Sequence, residues 1–194
     1  MLAGVDEVGR GPLAGPVLAA AVILDPNRPI VGLQDSKCLS PKKRALLAEM
    51  IRQNAYDFGI GQACAQEIDT YNILQATLLA MKRAISALRH CPDVALIDGQ
   101  HSPQLSCHVR TLVRGDQICL SISAASILAK VIRDDIMLAV DLQYPEYGFA
   151  QHKGYGTSQH LTALKHYGYT PAHRYSFKPV RECLKQYPGS KAIQ

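Results

Sequence analysis

The segment Gly9-Arg10-Gly11-Pro12-Leu13-Ala14-Gly15-Pro16 holds three glycines and two prolines between two apolar runs, Leu2–Glu7 and Val17–Leu24. No helix crosses such a segment, because proline lacks an amide donor and glycine is entropically costly inside a helix. The expected outcome is two strands joined by a rigid glycine-rich turn. The first strand then delivers Asp6 and Glu7 to the mouth of that turn.

The rest of the chain alternates helical and strand patterns. Ser40-Pro41 pairs a capping hydroxyl with a first-turn proline, and Ala45, Leu46, Met50 and Ile51 recur at helical spacing up to about Asn54. Tyr56–Ala65 reads as a third strand, and Leu74, Leu78, Met81, Ile85 and Leu88 mark one face of a second helix over Ile73–Leu88. Val94–Asp98 is a short apolar run closed by Asp98-Gly99, as in a buried strand opening into a loop. A weaker fifth strand over Val109–Val113 and a third helix over Ile122–Tyr144, stopped at Pro145, come next. Short helices are expected around Gln159–His166 and Val180–Gln186. This order predicts an α/β fold with a mixed five-stranded sheet, antiparallel at first and then parallel across helical crossovers. Open sheets of this kind bind ligands beyond the carboxyl ends of their strands, where Asp6 and Asp98 both fall.

The 194 residues suit one domain able to bury about 70% of its unfolded surface, with residues 1–149 as the body and 150–194 as a basic segment packed on it. Of 21 Lys+Arg and 16 Asp+Glu side chains, 7 basic but a single acidic one, Glu182, fall after residue 149. A basic end on a near-neutral body points to a polyanionic partner. The longest apolar runs fall far short of the roughly 20 residues that span a bilayer, and no secretory signal is visible. The expected compartment is the cytoplasm. Cys38, Cys64, Cys91, Cys107, Cys119 and Cys183 show neither zinc-ligand nor disulfide-scaffold spacing, so they are expected to be reduced and mostly buried.

Adjacent carboxylates at a strand end are costly to desolvate unless a cation or hydrogen-bond donors compensate. Taken alone, a solvated strand end explains Asp6-Glu7 as well. Alternation also sends neighbouring side chains to opposite faces, so joint metal binding would require the strand to end or bulge near Glu7. Asp98-Gly99 and Gly115-Asp116 add two further turn acids, and four acids near strand ends suit two divalent cations clamping a phosphodiester. Asp134 and Asp135 are the competing acids, expected on the polar side of the third helix. Gly9-x-Gly11 is no dinucleotide loop, because a strand rather than a helix follows it. Its glycines permit close approach of a ligand, and Arg10 offers a planar fork for phosphate.

Asp35-Ser36-Lys37 and His152-Lys153-Gly154-Tyr155-Gly156-Thr157-Ser158 each combine a cation with hydroxyls. Tyr155 is placed either to stack on a base or sugar or to plug the loop against the sheet. Lys153 and Arg174 are expected phosphate contacts. No Walker loop, H-E-x-x-H or G-x-S-x-G is present, which removes the simplest nucleotide-hydrolase, zinc-protease and esterase readings. A non-catalytic nucleic-acid-binding module is the alternative, but a pure binder gains nothing from carboxylates that repel phosphate.

Seven segments in order resemble the bacterial type 2 ribonucleases H, the ribonuclease HII family: Asp6–Pro16, Asp35–Lys37, Ile97–Gly99, Gly115-Asp116, Ser123–Asp134, His152–Thr157 and His173–Phe177. Val8 stands where the family typically has Ala, and nothing after about Val180 is diagnostic. The resemblance implies an RNase H-like fold and metal-dependent endonucleolytic cleavage of RNA in RNA–DNA hybrids and at single ribonucleotides in duplex DNA, leaving 3′-hydroxyl and 5′-phosphate ends. It implies that Asp6, Glu7, Asp98 and Asp116 are catalytic and hold two Mn²⁺ or Mg²⁺ ions. By the same resemblance Gly9, Arg10 and Gly11 sense the ribose 2′-hydroxyl, and Tyr155 stacks on the following deoxyribose. Ser36, Lys37 and the start of the Ser123–Lys130 helix match positions that support phosphate or the active site. Sister ribonucleases HIII carry an additional amino-terminal domain, and Asp6 lies too early for one, so type HII is the expected branch. A monomer with roles in DNA replication and repair is implied.

Overall fold

A computed structural model describes residues 1–34 and 36–186, with the backbone alone at Lys37 and Gln186. The runs flanking the glycine-rich turn form β1 (Leu2–Val8) and β2 (Val17–Leu24), paired antiparallel from Gly4 opposite Val22 to Val8 opposite Leu18. They are followed by α1 (Pro41–Asn54), β3 (Ala55–Ala63), α2 (Ala65–Ser86), β4 (Val94–Asp98) and β5 (His108–Leu112). Five helices complete the described chain: α3 (Gly115–Ile118), α4 (Leu120–Gln143), α5 (Phe149–His152), α6 (Ser158–Tyr167) and α7 (Lys178–Gln186). The sheet order is β3-β2-β1-β4-β5, and β4 runs parallel to both β1 and β5. The mixed five-stranded sheet expected from the sequence is the one that forms.

Local chemistry accounts for these boundaries. The β2 strand is buried from Val17 through Ile23, which is why it reads as an unbroken apolar run rather than an alternating one. Ser40 caps α1 by accepting the Lys43 amide at 3.3 Å, with Pro41 in the first turn. The α2 helix starts earlier than the periodicity predicts. Its first stretch is fixed by Glu67, whose carboxylate accepts the Cys64 amide at 2.9 Å and closes β3. Asn72 then breaks the helix in a left-handed conformation, φ 68°. The Asn72 Oδ1 atom accepts the amides of Leu74 and Gln75 at 3.0 and 3.1 Å, so one residue ends the first stretch and caps the second. Periodicity detected only that second stretch.

The chain divides into two compact units. Met1–Val8, Leu18–Gln62 and Thr77–Ile132 make the first; Gly9–Val17, Ala63–Ala76 and the residues from Arg133 onward make the second. In the first unit Val5, Leu18, Ile51, Ile97, Ile122 and Leu128 are fully buried, tying both sides of the sheet to their helices. Gly4 permits the closest approach there: a Cβ at this position would fall inside contact distance of the Ser121 backbone, so α4 begins directly against β1. The second unit has two apolar clusters. One joins Ala14, Met137, Tyr147, Phe149 and Ala163, and the other Leu13, Leu164, Val180 and Cys183.

The cysteines correct an expectation. All six are free thiols, but Cys38, Cys64 and Cys91 are exposed, Cys107 and Cys119 half-buried, and Cys183 alone is buried. The first five sit in turns or at element ends, where a small side chain has little to pack against. No helix among the described residues is long and apolar enough to cross a membrane.

Candidate active site

In the first unit, β1 and β4 run parallel with Val5 opposite Ile97, so Asp6 and Asp98 follow one another at neighbouring strand ends. Asp6 is buried, 6% exposed. Its carboxyl is held well above the usual carboxylate range, first by burial, then by the charge of Glu7 and more weakly by that of Asp98, against a hydrogen bond from Ser126. The Asp98 Oδ1 atom accepts the Gly115 amide at 2.6 Å, which fixes the start of α3 and with it the buried Asp116. The Ser123 hydroxyl donates to the Asp116 carbonyl at 2.6 Å, so α4 also anchors this corner.

Ser36 lies behind the acids rather than in front of them. It is 5% exposed, and its hydroxyl meets that of Ser126 at 2.9 Å; Ser126 in turn bonds Asp6. Asp35 and the Lys37 side chain lie outside the described residues. The β1 strand pairs with β2 one-to-one through Val8 and ends there, one residue past Glu7, so of the two conditions for joint metal binding it meets the strand end and not the bulge. Among the described residues, no three His, Cys, Asp or Glu side chains converge into a ready-made metal cage. Asp6, Glu7 and Asp98 are nonetheless close enough for each acid's charge to act on Asp6, and their oxygens suit a hard divalent cation.

In the second unit, the turn after β1 is laced to two later segments. The Leu13 amide donates to the Gly154 carbonyl, the Gly15 amide to Ala172, and the Arg174 amide to Leu13, each at 2.8 Å. Gly9 holds φ +93°, where only glycine is comfortable, and a Cβ there would strike the Arg133 side chain. Arg10 and Gly11 are exposed. Tyr155 is 43% exposed, and its Cε1 would lie 3.7 Å from a Cβ on Gly11, so ring and turn stand side by side. The loop-plug alternative for Tyr155 is not what forms. Lys153 is half-buried in a left-handed conformation, φ 52°.

Two arginines are fully buried here, one of them Arg174, the expected phosphate contact. Arg133 donates to the carbonyls of Pro16, Lys153 and Ala14 at 3.1, 3.1 and 3.3 Å. Arg174 donates to those of Gly15, Arg10 and Gly9 at 3.0, 2.9 and 2.6 Å. Arg174 is therefore not a phosphate contact: its guanidinium is committed to the backbone of the turn. Burial, and then the Arg133 charge, lower its pKa to about 9. Asp134 is half-buried and Asp135 exposed.

Three of the four histidines after residue 149 are also buried, His152, His160 and His173. His160 Nδ1 faces the Tyr155 carbonyl at 2.9 Å and must donate, leaving its Nε2 to accept from His173 Nε2 at 3.1 Å. His173 Nδ1 then accepts the Thr170 amide at 3.0 Å. Burial is the main cause that lowers His160 to about 4 and His173 to about 3, so neither ring adds charge to the basic end. No signal in the sequence separated these buried rings and guanidinium groups from surface cations.

Solved structures define the class. Ribonuclease H2 of Pyrococcus horikoshii OT3 superposes with a TM-score of 0.80 at 25% identity, covering 97% of this chain and 99% of that one. Ribonuclease HII of Archaeoglobus fulgidus, solved in complex with PCNA, gives 0.78 at 25% identity over 94% and 96%. The fold is thus that of the type 2 ribonucleases H. The sequence narrows this further, because the Ribonuclease HII family model matches residues 3–180. Ribonuclease HII of Nitrosococcus oceani is 57% identical over 184 residues, 95% of this chain and 92% of that protein. The chain belongs to the ribonuclease HII family, and it is an endonucleolytic ribonuclease H acting on RNA–DNA hybrids.

Proposed function

We propose that the chain also cuts duplex DNA at single embedded ribonucleotides, that it requires two divalent cations, Mn²⁺ or Mg²⁺, and that it leaves 3′-hydroxyl and 5′-phosphate ends. Asp6, Glu7, Asp98 and Asp116 hold the cations. The observation that carries this reading is the burial of Asp6 beside two further carboxylates whose charges disfavour its ionised form. A hard cation relieves that repulsion, and carboxylate oxygens are the ligands such a cation prefers. When bound, they supply activation of the attacking water and neutralisation of charge on the departing 3′-oxygen.

The chain's own residues divide the remaining work. Ser126, backed by Ser36, orients Asp6; the Gly115 amide orients Asp98. The Gly9-Arg10-Gly11 turn reads the ribose 2′-hydroxyl, and the exposed Tyr155 ring stacks on the deoxyribose that follows, with Lys153 on a neighbouring phosphate. The protein acts as a monomer in the cytoplasm, in DNA replication and repair.

The test is an end-labelled DNA duplex holding one ribonucleotide, incubated with Mn²⁺ or Mg²⁺ and separately with chelator. A single metal-dependent cut at the ribonucleotide, with a ligatable 5′-phosphate on the downstream product, is expected. Cleavage that survives chelation would remove the metals, and an uncut duplex beside a degraded hybrid would remove the single-ribonucleotide substrate.

A further inference from the structure

We propose that Arg174 is a specificity-positioning residue: from beneath the Gly9–Gly11 turn it fixes the orientation of the two peptide groups that meet the ribose. This inference rests on the reading that this turn senses the 2′-hydroxyl. Arg174 donates Nη2 to the Gly9 carbonyl at 2.6 Å and Nη1 to the Arg10 carbonyl at 2.9 Å, while Nε holds Gly15 at 3.0 Å. In a planar trans peptide the carbonyl and the following amide point in opposite directions. With the Gly9 and Arg10 carbonyls drawn onto the guanidinium, the amides of Arg10 and Gly11 face away from it, toward the exposed side of the turn. Those are the amides a ligand hydroxyl would meet.

Three further observations favour a positioning role over simple packing. The planar guanidinium fork matches two successive carbonyls at once, a geometry that a lysine ammonium cannot reproduce. The Phe177 ring lies 5.1 Å below the guanidinium carbon, so the fork is held from its open face too. Arg133 holds Ala14, Pro16 and Lys153 in the same way, so buried cations anchor the backbone both of the turn and of the following loop at Lys153.

The experiment compares wild type, Arg174→Lys and Phe177→Leu by steady-state cleavage of an RNA–DNA hybrid in Mn²⁺, with an all-DNA duplex of the same sequence as competitive inhibitor. The quantity read is the Ki of the DNA duplex divided by the KM of the hybrid. Wild type should show a ratio well above one. If it does not, the 2′-hydroxyl reading fails, and this inference with it. Arg174→Lys should lower the ratio about tenfold or more through KM alone, with Ki within about twofold of wild type and a cooperative melt retained. An unchanged ratio, or KM and Ki rising together, overturns the proposal in favour of a purely structural arginine. Should Arg174→Lys fail to fold, Phe177→Leu keeps the charge but loosens its seat, and a fall of about threefold in the same ratio is expected. A ratio unmoved in that folded variant overturns the proposal.

Discussion

Asp6 and Arg174 are both buried charged side chains, yet their surroundings differ in kind. Asp6 has like charges for neighbours, Glu7 and Asp98, with the Ser126 hydroxyl and the Glu7 amide for relief. Arg174 has three carbonyl oxygens arranged around it, and Arg133 three more. In the first unit a buried charge is left electrostatically unfinished; in the second every guanidinium nitrogen has a main-chain partner. Unfinished charge marks a place where something must bind, whereas completed charge marks a place where something is held still.

The sharpest way to break this contrast is to neutralise each side. Asp6→Asn or Asp98→Asn should reduce metal-dependent cleavage by about a thousandfold or more while hybrid binding stays measurable. Asp6→Asn should also leave the metal-free melting temperature equal or higher, since it removes a repelled charge; a marked loss of stability would mean that the acid is structurally paired after all. Mn²⁺ at about 100 times its Kd should stabilise wild type by about 2.7 kcal/mol, and calorimetry should find that gain missing from Asp6→Asn. Arg133→Met should do the reverse, costing about 3 kcal/mol by stranding three buried carbonyls, with a fall in melting temperature of about 6–12 °C.

An effect of a different kind is expected with pH. His160 and His173 titrate near about 4 and about 3 in the fold, against an ordinary 6.5. Below about pH 6.5 the unfolded chain therefore binds protons that the folded chain refuses. The stability contributed by the neutral rings is complete above that value and lost as pH falls toward 4 and 3, at about 1.4 kcal/mol per pH unit and ring. Melting temperatures from pH 8 to 5 should be level at first and then fall, and His173→Gln should soften the slope; a profile that His173→Gln leaves unchanged would remove the histidine pair as its cause. The smallest effect belongs to Tyr155→Ala. An exposed ring contributes little to stability, so melting should move by about 1 °C or less, while cleavage at an isolated ribonucleotide weakens more than in a long hybrid. Equal weakening on both substrates would return Tyr155 to the scaffold.

The same contrast governs what could be read from the chain. The strand that delivers Asp6, the turn after it and the strand that ends at Asp98 were all legible, because glycine, proline and apolar runs act locally. The break at Asn72 was not, since a left-handed asparagine leaves no mark in a helical periodicity that resumes one residue later. Arg133, Arg174, His160 and His173 were also hidden. Composition counts a basic side chain as surface charge, and only the folded backbone reveals carbonyls converging on it. Which of the two would occur near Glu7, a strand end or a bulge, was equally illegible, because the requirement came from chemistry rather than from any residue there; β1 pairs regularly and ends at Val8.

Gly4, two residues before Asp6, has a consequence of a mechanical sort. Strand and helix meet there backbone against backbone, so no rotamer takes up slack in the spacing between β1 and the start of α4. The serines of that helix, Ser123 and Ser126, are therefore set at a fixed height over the acids, as by a shim of one peptide's thickness. Tolerances at this corner are those of covalent geometry, and a single methyl group at residue 4 is the smallest wedge that would spoil them.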